Sequence, residues 1–149
     1  MIEFLQGDIT KQSAGLIIHG VNCQGAMGSG VALAIKTKWP AVYSRYIQKG
    51  AGKQLLGTVD FIVINEDLVI GNCYTQEYFG PGDRKYADVG AVKSCLTKVE
   101  QYARDYQLTV KSPLMAAGLA GLDWNSEVYP IYEAIFGNNF DVDCIIFKF

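Results

Sequence analysis

Leu16-Ile17-Ile18-His19-Gly20-Val21 is an apolar run interrupted only by His19. A strand with one wet face alternates apolar and polar side chains. A run without that alternation predicts a strand covered on both faces, as in a sheet held between helices. The surrounding segments agree. Met1 to Leu5 reads as another strand, Gly30 to Lys38 as a short helix, and Pro40 as the first helical position of the next, completed by Ala41 to Gln48. Thr58 to Ile64 and Leu68 to Tyr74 flank the turn signal Asn65-Glu66-Asp67 and predict a hairpin. Asp88 to Tyr106 is the longest predicted helix, with Ala91, Val92, Cys95, Leu96, Val99 and Tyr102 at three- and four-residue spacing. Pro113 to Ala116 predicts a short central strand, Asn125 to Phe136 a helix and Val142 to Phe147 a closing strand. The sum is an α/β chain, a mixed sheet with helices on both faces. With 149 residues, 50% of them hydrophobic, it is expected to form a single domain over residues 1–149.

A formal charge of −2 and a pI near 5.3 give no global electrostatic footprint for nucleic acid, leaving only a local basic patch open. Any anion must be held by local geometry. Cys23, Cys73, Cys95 and Cys144 form no CxxC pair and the chain has one histidine, so no zinc site, redox dithiol or other cofactor is expected. With no signal-peptide pattern and no apolar run near 18 residues, the expectation is a soluble, cytoplasmic protein without a membrane partner.

Two glycine-rich stretches each follow a strand-like run and precede a helix-like one. They are Val21-Asn22-Cys23-Gln24-Gly25-Ala26-Met27-Gly28-Ser29-Gly30-Val31-Ala32 and Ala116-Ala117-Gly118-Leu119-Ala120-Gly121-Leu122-Asp123-Trp124. The first lacks the Gly-Lys-Ser/Thr ending of a P-loop, and the order of Gly25, Gly28 and Gly30 is not that of a dinucleotide fingerprint. A tight strand-to-helix turn explains either stretch alone. Two such loops at the carboxyl ends of strands in one sheet suit a diphosphate, because each aims bare backbone amides at an anion.

These stretches, with Gly7-Asp8-Ile9-Thr10 after the first strand, resemble in order and over nearly the whole chain a macro domain. The resemblance implies a three-layer α/β/α fold with a mixed central sheet that binds ADP-ribose. It implies that Asp8 meets the adenine amino group with the Ile9 amide beside it and that Asn22 touches the distal ribose. Gly28, Ser29, Gly30 and Val31 on one side, and Ala117, Gly118, Leu119, Ala120, Gly121 and Leu122 on the other, would wrap the diphosphate and that ribose. The residue types suit these roles. A carboxylate accepts a hydrogen bond from an exocyclic amine, although an Asx-turn is the plainer role for an aspartate just past a strand. Small residues let the main chain approach phosphate oxygens. Tyr78 and Phe79 are candidates to stack on adenine or cover the diphosphate, and Trp124 reads as a packing residue.

Three positions bear on activity. His19 lies three residues before Asn22, and the branch containing the yeast ADP-ribose 1″-phosphate phosphatase also carries histidine there. An imidazole titrating near neutrality can move the proton that ester hydrolysis requires, while a satisfied core histidine is the plainer alternative. Asn72-Cys73-Tyr74-Thr75-Gln76 resembles the segment in which macro antitoxins that remove ADP-ribose from DNA carry a lysine, and here Gln76 stands in that place. Ala120 aligns with a catalytic aspartate of a related hydrolase. Asp83, in the turn-rich segment Tyr78 to Lys85, is the chosen acidic partner of His19, with Arg84 and Lys85 as candidates to pair with a terminal phosphate. The leading expectation is a metal-independent phosphatase converting ADP-ribose 1″-phosphate to ADP-ribose, with His19, Asp83 and Asn22 at the chemistry. The alternatives are an ADP-ribosyl hydrolase, with nucleic acid only as a modified substrate, and a non-catalytic ADP-ribose reader.

Overall fold

The computed structural model describes residues 1–81 and 84–149, and six strands form one sheet in the order β1-β6-β5-β2-β4-β3. They are β1 (Ile2–Gln6), β2 (Gly15–Asn22), β3 (Val59–Val63), β4 (Leu68–Gln76), β5 (Val110–Ser112) and β6 (Cys144–Lys148). Every neighbouring pair is parallel except β3 with β4, the hairpin closed by an Asx-turn in which Asn65 Oδ1 accepts from the amides of Asp67 (2.8 Å) and Leu68 (3.1 Å).

The apolar run of β2 is buried on both sides, and its alternation divides the core in two. Leu16 and Ile18 belong to the cluster beneath α3 (Val89–Tyr106) and α4 (Tyr129–Tyr132), with Val92, Leu96, Tyr132 and Phe136. Ile17 and Val21 belong to the cluster beneath α1 (Gly30–Lys38) and α2 (Pro40–Lys49), with Ile35, Val42 and Tyr46. The mixed sheet therefore carries helices on both faces, the three-layer arrangement expected. Pro40 opens α2, and Asp88 caps α3 by accepting the Ala91 amide at 2.8 Å.

Two predicted elements differ. The short central strand is Val110–Ser112, and residues 113–116 leave the sheet instead of forming it. Pro113 has no amide to give a ladder, the Met115 amide turns back onto the Pro113 carbonyl at 2.9 Å, and Ala116 takes a left-handed φ of 63°. The helix predicted from Asn125 to Phe136 is one α-turn, α4, between two wider five-residue turns, Trp124–Val128 and Glu133–Gly137. Pro130, inside it, removes one donor and crowds the preceding turn, so the backbone bonds reach one residue further. No helix among the described residues is long and apolar enough to cross a membrane.

Candidate ligand cleft

A cleft of about 480 Å³ opens at the carboxyl ends of β2 and β4, within the range of small-molecule sites. The first glycine-rich stretch contributes Asn22, Ala26 and Gly28 to Ala32, the second Ala116, Gly118, Leu119 and Ala120, while His19, Thr75 and Gln76 come from the strands. A larger depression of about 870 Å³ lies against α4, lined by Arg104, Tyr129 and Phe140 among others, and contains neither glycine-rich loop. Size alone does not locate the chemistry.

The first loop is built around one side chain. Asn22 is nearly buried; its Oδ1 accepts from the Gln24 amide (2.9 Å), the Ala26 amide (3.3 Å) and the Tyr46 hydroxyl (2.9 Å), and its Nδ2 donates to the Ala26 carbonyl (2.8 Å). The Tyr46 hydroxyl also meets the Asn22 carbonyl. Asn22 thus shapes the loop, with one amide hydrogen left over. The loop delivers the chain to Ser29, the extended residue before α1, which makes no side-chain cap. The first amides of α1 at Gly30, Val31 and Ala32 therefore lack a side-chain acceptor where they line the cleft, which is the arrangement that receives an anion. A Cβ on Gly28 or Gly30 would meet nothing within 4 Å.

The second loop is held by main chain. Tyr86 and Ala87 amides donate to the Ala120 carbonyl at 2.8 and 3.1 Å, and Gly121, at φ +88°, lies so close to the preceding segment that a Cβ would stand 2.5 Å from the Arg84 carbonyl. Gly118 faces open space. Leu119 is exposed, whereas Leu122 is buried in the core. Trp124 packs on Tyr132, ring centroids 5.2 Å apart, partly buried against the core.

His19 sits on the floor, 1% exposed and lining the cleft. It faces Asn72 across the β2–β4 register, 2.6 Å from Nε2 to Asn72 Oδ1. Because that oxygen only accepts, Nε2 carries the proton and Nδ1 keeps a lone pair, with no partner among the described residues. Burial holds the imidazole down at about 4, against the partial support of Asn72. The neutral-pH titration expected from sequence is thus overturned in the unliganded protein: His19 is a neutral acceptor at pH 7. Beside it, the register shifts between Val21 and Asn22, which pairs with Gln76, so that Thr75 is passed over. Thr75 Oγ1 is a second buried cleft group without a partner among the described residues. Gln76 donates to the Tyr78 carbonyl at 2.7 Å.

Several predicted residues lie off the cleft lining. Asp8 caps the turn Ile9–Lys11, Oδ1 accepting from the Thr10 amide (2.9 Å) and hydroxyl (2.6 Å), the plainer role foreseen for it. Those bonds, the hydroxyl's first, hold its carboxyl below the usual range. Ile9 is in the core, and Ala117, Gly121 and Leu122 belong to the second loop but do not line the cleft. Phe79 lines the cleft and is exposed, while Tyr78 does not line it. Asp83 lies outside the described residues. Tyr86 and Tyr46 carry no signal of their own in the sequence, and Asn72 and Thr75 enter it only as members of the segment that ends at Gln76. Nothing in a linear reading marks a cross-strand partner, because the contact is made by sheet register. Among the described residues no three His, Cys, Asp or Glu side chains converge on a metal position.

No protein-family model matches the chain. It is 28% identical to a DNA ADP-ribosyl glycohydrolase of Mycobacterium tuberculosis across 99% of its own length, and spans 42% of that protein. It is 27% identical to an ADP-ribose 1″-phosphate phosphatase of Saccharomyces cerevisiae, over 68% of this chain and 61% of the other. A macrodomain protein from Streptomyces coelicolor superposes with a TM-score of 0.79 at 26% identity, covering 100% of this chain and 99% of that one. The yeast enzyme and the mycobacterial one differ in the bond they are named for, yet this chain resembles both. Fold, loop placement and likeness converge: the chain has the macro-domain fold and is similar along its whole length to a macrodomain protein.

Proposed function

We propose that the cleft binds ADP-ribose and that the protein hydrolyses ADP-ribose 1″-phosphate to ADP-ribose and inorganic phosphate. The observation that carries the reading is the pairing of uncapped α1 amides with a buried, neutral histidine on the same cleft floor. The amides at Gly30 to Ala32 and the open backbone at Gly28 and Gly118 receive the diphosphate, and His19 lies under the distal ribose. By the macro-domain resemblance, Asp8 and the Ile9 amide take the adenine, outside the cleft lining itself.

In this reading, Nδ1 of His19 accepts a proton from water as the water oxygen bonds to phosphorus. The P–O1″ bond breaks, and the imidazolium returns the proton to O1″. A neutral imidazole suits the first half of that cycle, and the phosphate dianion raises the imidazole's proton affinity when it binds. Asp83 is its acidic partner, orienting the water.

Removal of ADP-ribose from DNA is a second reading, favoured by likeness to the glycohydrolase along nearly the whole chain. Against it, Gln76 occupies the place of the antitoxin lysine, and His19 and Tyr86 are the only titratable side chains among the described residues lining the cleft.

Phosphate release from ADP-ribose 1″-phosphate, measured for the protein and for His19→Gln, His19→Ala and Asp83→Asn, separates the two. Release by the protein, lost in the variants while their melting and ADP-ribose affinity persist, supports the phosphatase. Release of ADP-ribose from modified DNA without phosphatase turnover replaces it with the second reading, and tight binding with neither leaves a reader.

A further inference from the structure

The net charge of −2 conceals a division between the two helical layers. Residues 9–59 contain six Lys or Arg and no Asp or Glu, whereas residues 112–147 contain five Asp or Glu and no Lys or Arg. The first segment builds the α1–α2 layer and the second builds the α4 region on the opposite face. On the basic side, Arg45 and Lys49 converge on Asp60 at 3.0 and 3.8 Å. Lys11, Lys36, Lys38 and Lys53 have no carboxylate within 4.0 Å among the described residues. Partly exposed aromatic rings lie beside two of them: Lys36 Nζ stands 3.9 Å from the Tyr43 centroid, and Lys38 Nζ 5.9 Å from that of Trp39. Lys11 and Lys38 also flank the turn after β1, where both add to the depression of the Asp8 carboxyl that the Thr10 bonds begin.

We infer that the outer face of α1 and α2, with Lys11 at its edge, docks a single strand of nucleic acid through its phosphates, with Trp39 and Tyr43 offering ring surface to the bases. Ammonium groups held in no close ion pair attract a polyanion of any kind. Aromatic rings beside them are what single-stranded sites add to charge. Planar bases stack on such rings, whereas carboxylate side chains do not. The inference stands apart from what fills the cleft, since the lysines lie outside its lining.

The test is fluorescence anisotropy with a labelled, unmodified oligothymidylate across a salt series. Binding is expected at low salt with a log–log slope of about −3, four contacts at roughly 0.7 each for a single strand. The variant with Lys11, Lys36, Lys38 and Lys53 all changed to Ala, its fold checked by circular dichroism and melting, is expected to bind at least about tenfold more weakly. Lys93→Ala on α3 is expected to change affinity by less than about twofold. No binding at low salt, or undiminished binding by the four-lysine variant, overturns the inference. Equal affinity for labelled polyglutamate transfers the surface to an acidic protein and also overturns it. Displacement by ADP-ribose puts the strand in the cleft and overturns it as well. Failure of the ADP-ribose reading leaves the oligonucleotide result intact, because this assay needs no ligand in the cleft.

Discussion

The two glycine-rich loops look alike in sequence and are held by different forces. The first hangs on a side chain, with Asn22 joining three donors and one acceptor inside a buried corner closed by Tyr46. The second hangs on main chain, with Ala120 shared by two amides and Gly121 pressed against the Arg84 carbonyl. Glycines within one stretch also serve different ends. Gly28 and Gly118 border empty space, where a ligand can approach the backbone, while Gly121 is glycine because the chain itself approaches there. A glycine-rich loop is therefore a mixture of binding and packing positions, and only the surroundings of each residue separate them.

The largest test of this contrast is Gly121→Ala in the second loop, which combines a left-handed φ with a backbone clash and is expected to cost about 2–3 kcal/mol. A melting temperature equal to that of the parent protein would remove the close approach from the account. In the first loop the test is Asn22→Ala. It strands the Gln24 and Ala26 amides at once while the Tyr46 hydroxyl keeps the Asn22 main-chain carbonyl, and a loss of about 1–3 kcal/mol is expected in denaturant unfolding. A loss under about 0.5 kcal/mol would mean that the first loop is held otherwise.

The floor shared by both loops offers a pH test. Since the folded pKa of His19, about 4, lies below the ordinary 6.5, the unfolded chain binds more protons between those values. Stability is then complete above pH 6.5 and lost as pH falls toward 4. From pH 7 to pH 5 this one group is expected to remove about 2 kcal/mol, and His19→Gln is expected to abolish that share. As the only histidine in the chain, its proton resonances report the midpoint directly, and a midpoint near 6.5 would refute the buried, neutral imidazole. The smallest expected effect is that of Gly118→Ala, within about 0.5 kcal/mol in stability. Its readout is ADP-ribose affinity, expected to fall. A destabilisation as large as that of Gly121→Ala would erase the distinction between the two glycines.

Much of the architecture is legible in the sequence because it rests on local rules. An unbroken apolar run demands a strand buried on both faces, the three- and four-residue spacing from Ala91 to Tyr102 describes α3, and Asn65 closes its hairpin by its own side chain. The two departures fall around prolines. Pro113 reads as part of a strand that ends one residue earlier, and the effect of Pro130 is to widen a helix rather than end it. In both places backbone bonding beyond the immediate neighbours decides the outcome.

The site divides in the same way. The identity of the loops, their glycines and the presence of a histidine between them are properties of the chain, readable because periodicity and turn chemistry act over a few residues. The pairing of His19 with Asn72, the depression of its pKa and the capture of Asn22 by Tyr46 are decided only when β2, β4 and α2 come together. Desolvation and hydrogen-bond competition depend on which distant segments share a face, and so does the division of charge between the helical layers. Linear order lists these groups, and only packing in three dimensions sets the surroundings that govern their chemistry.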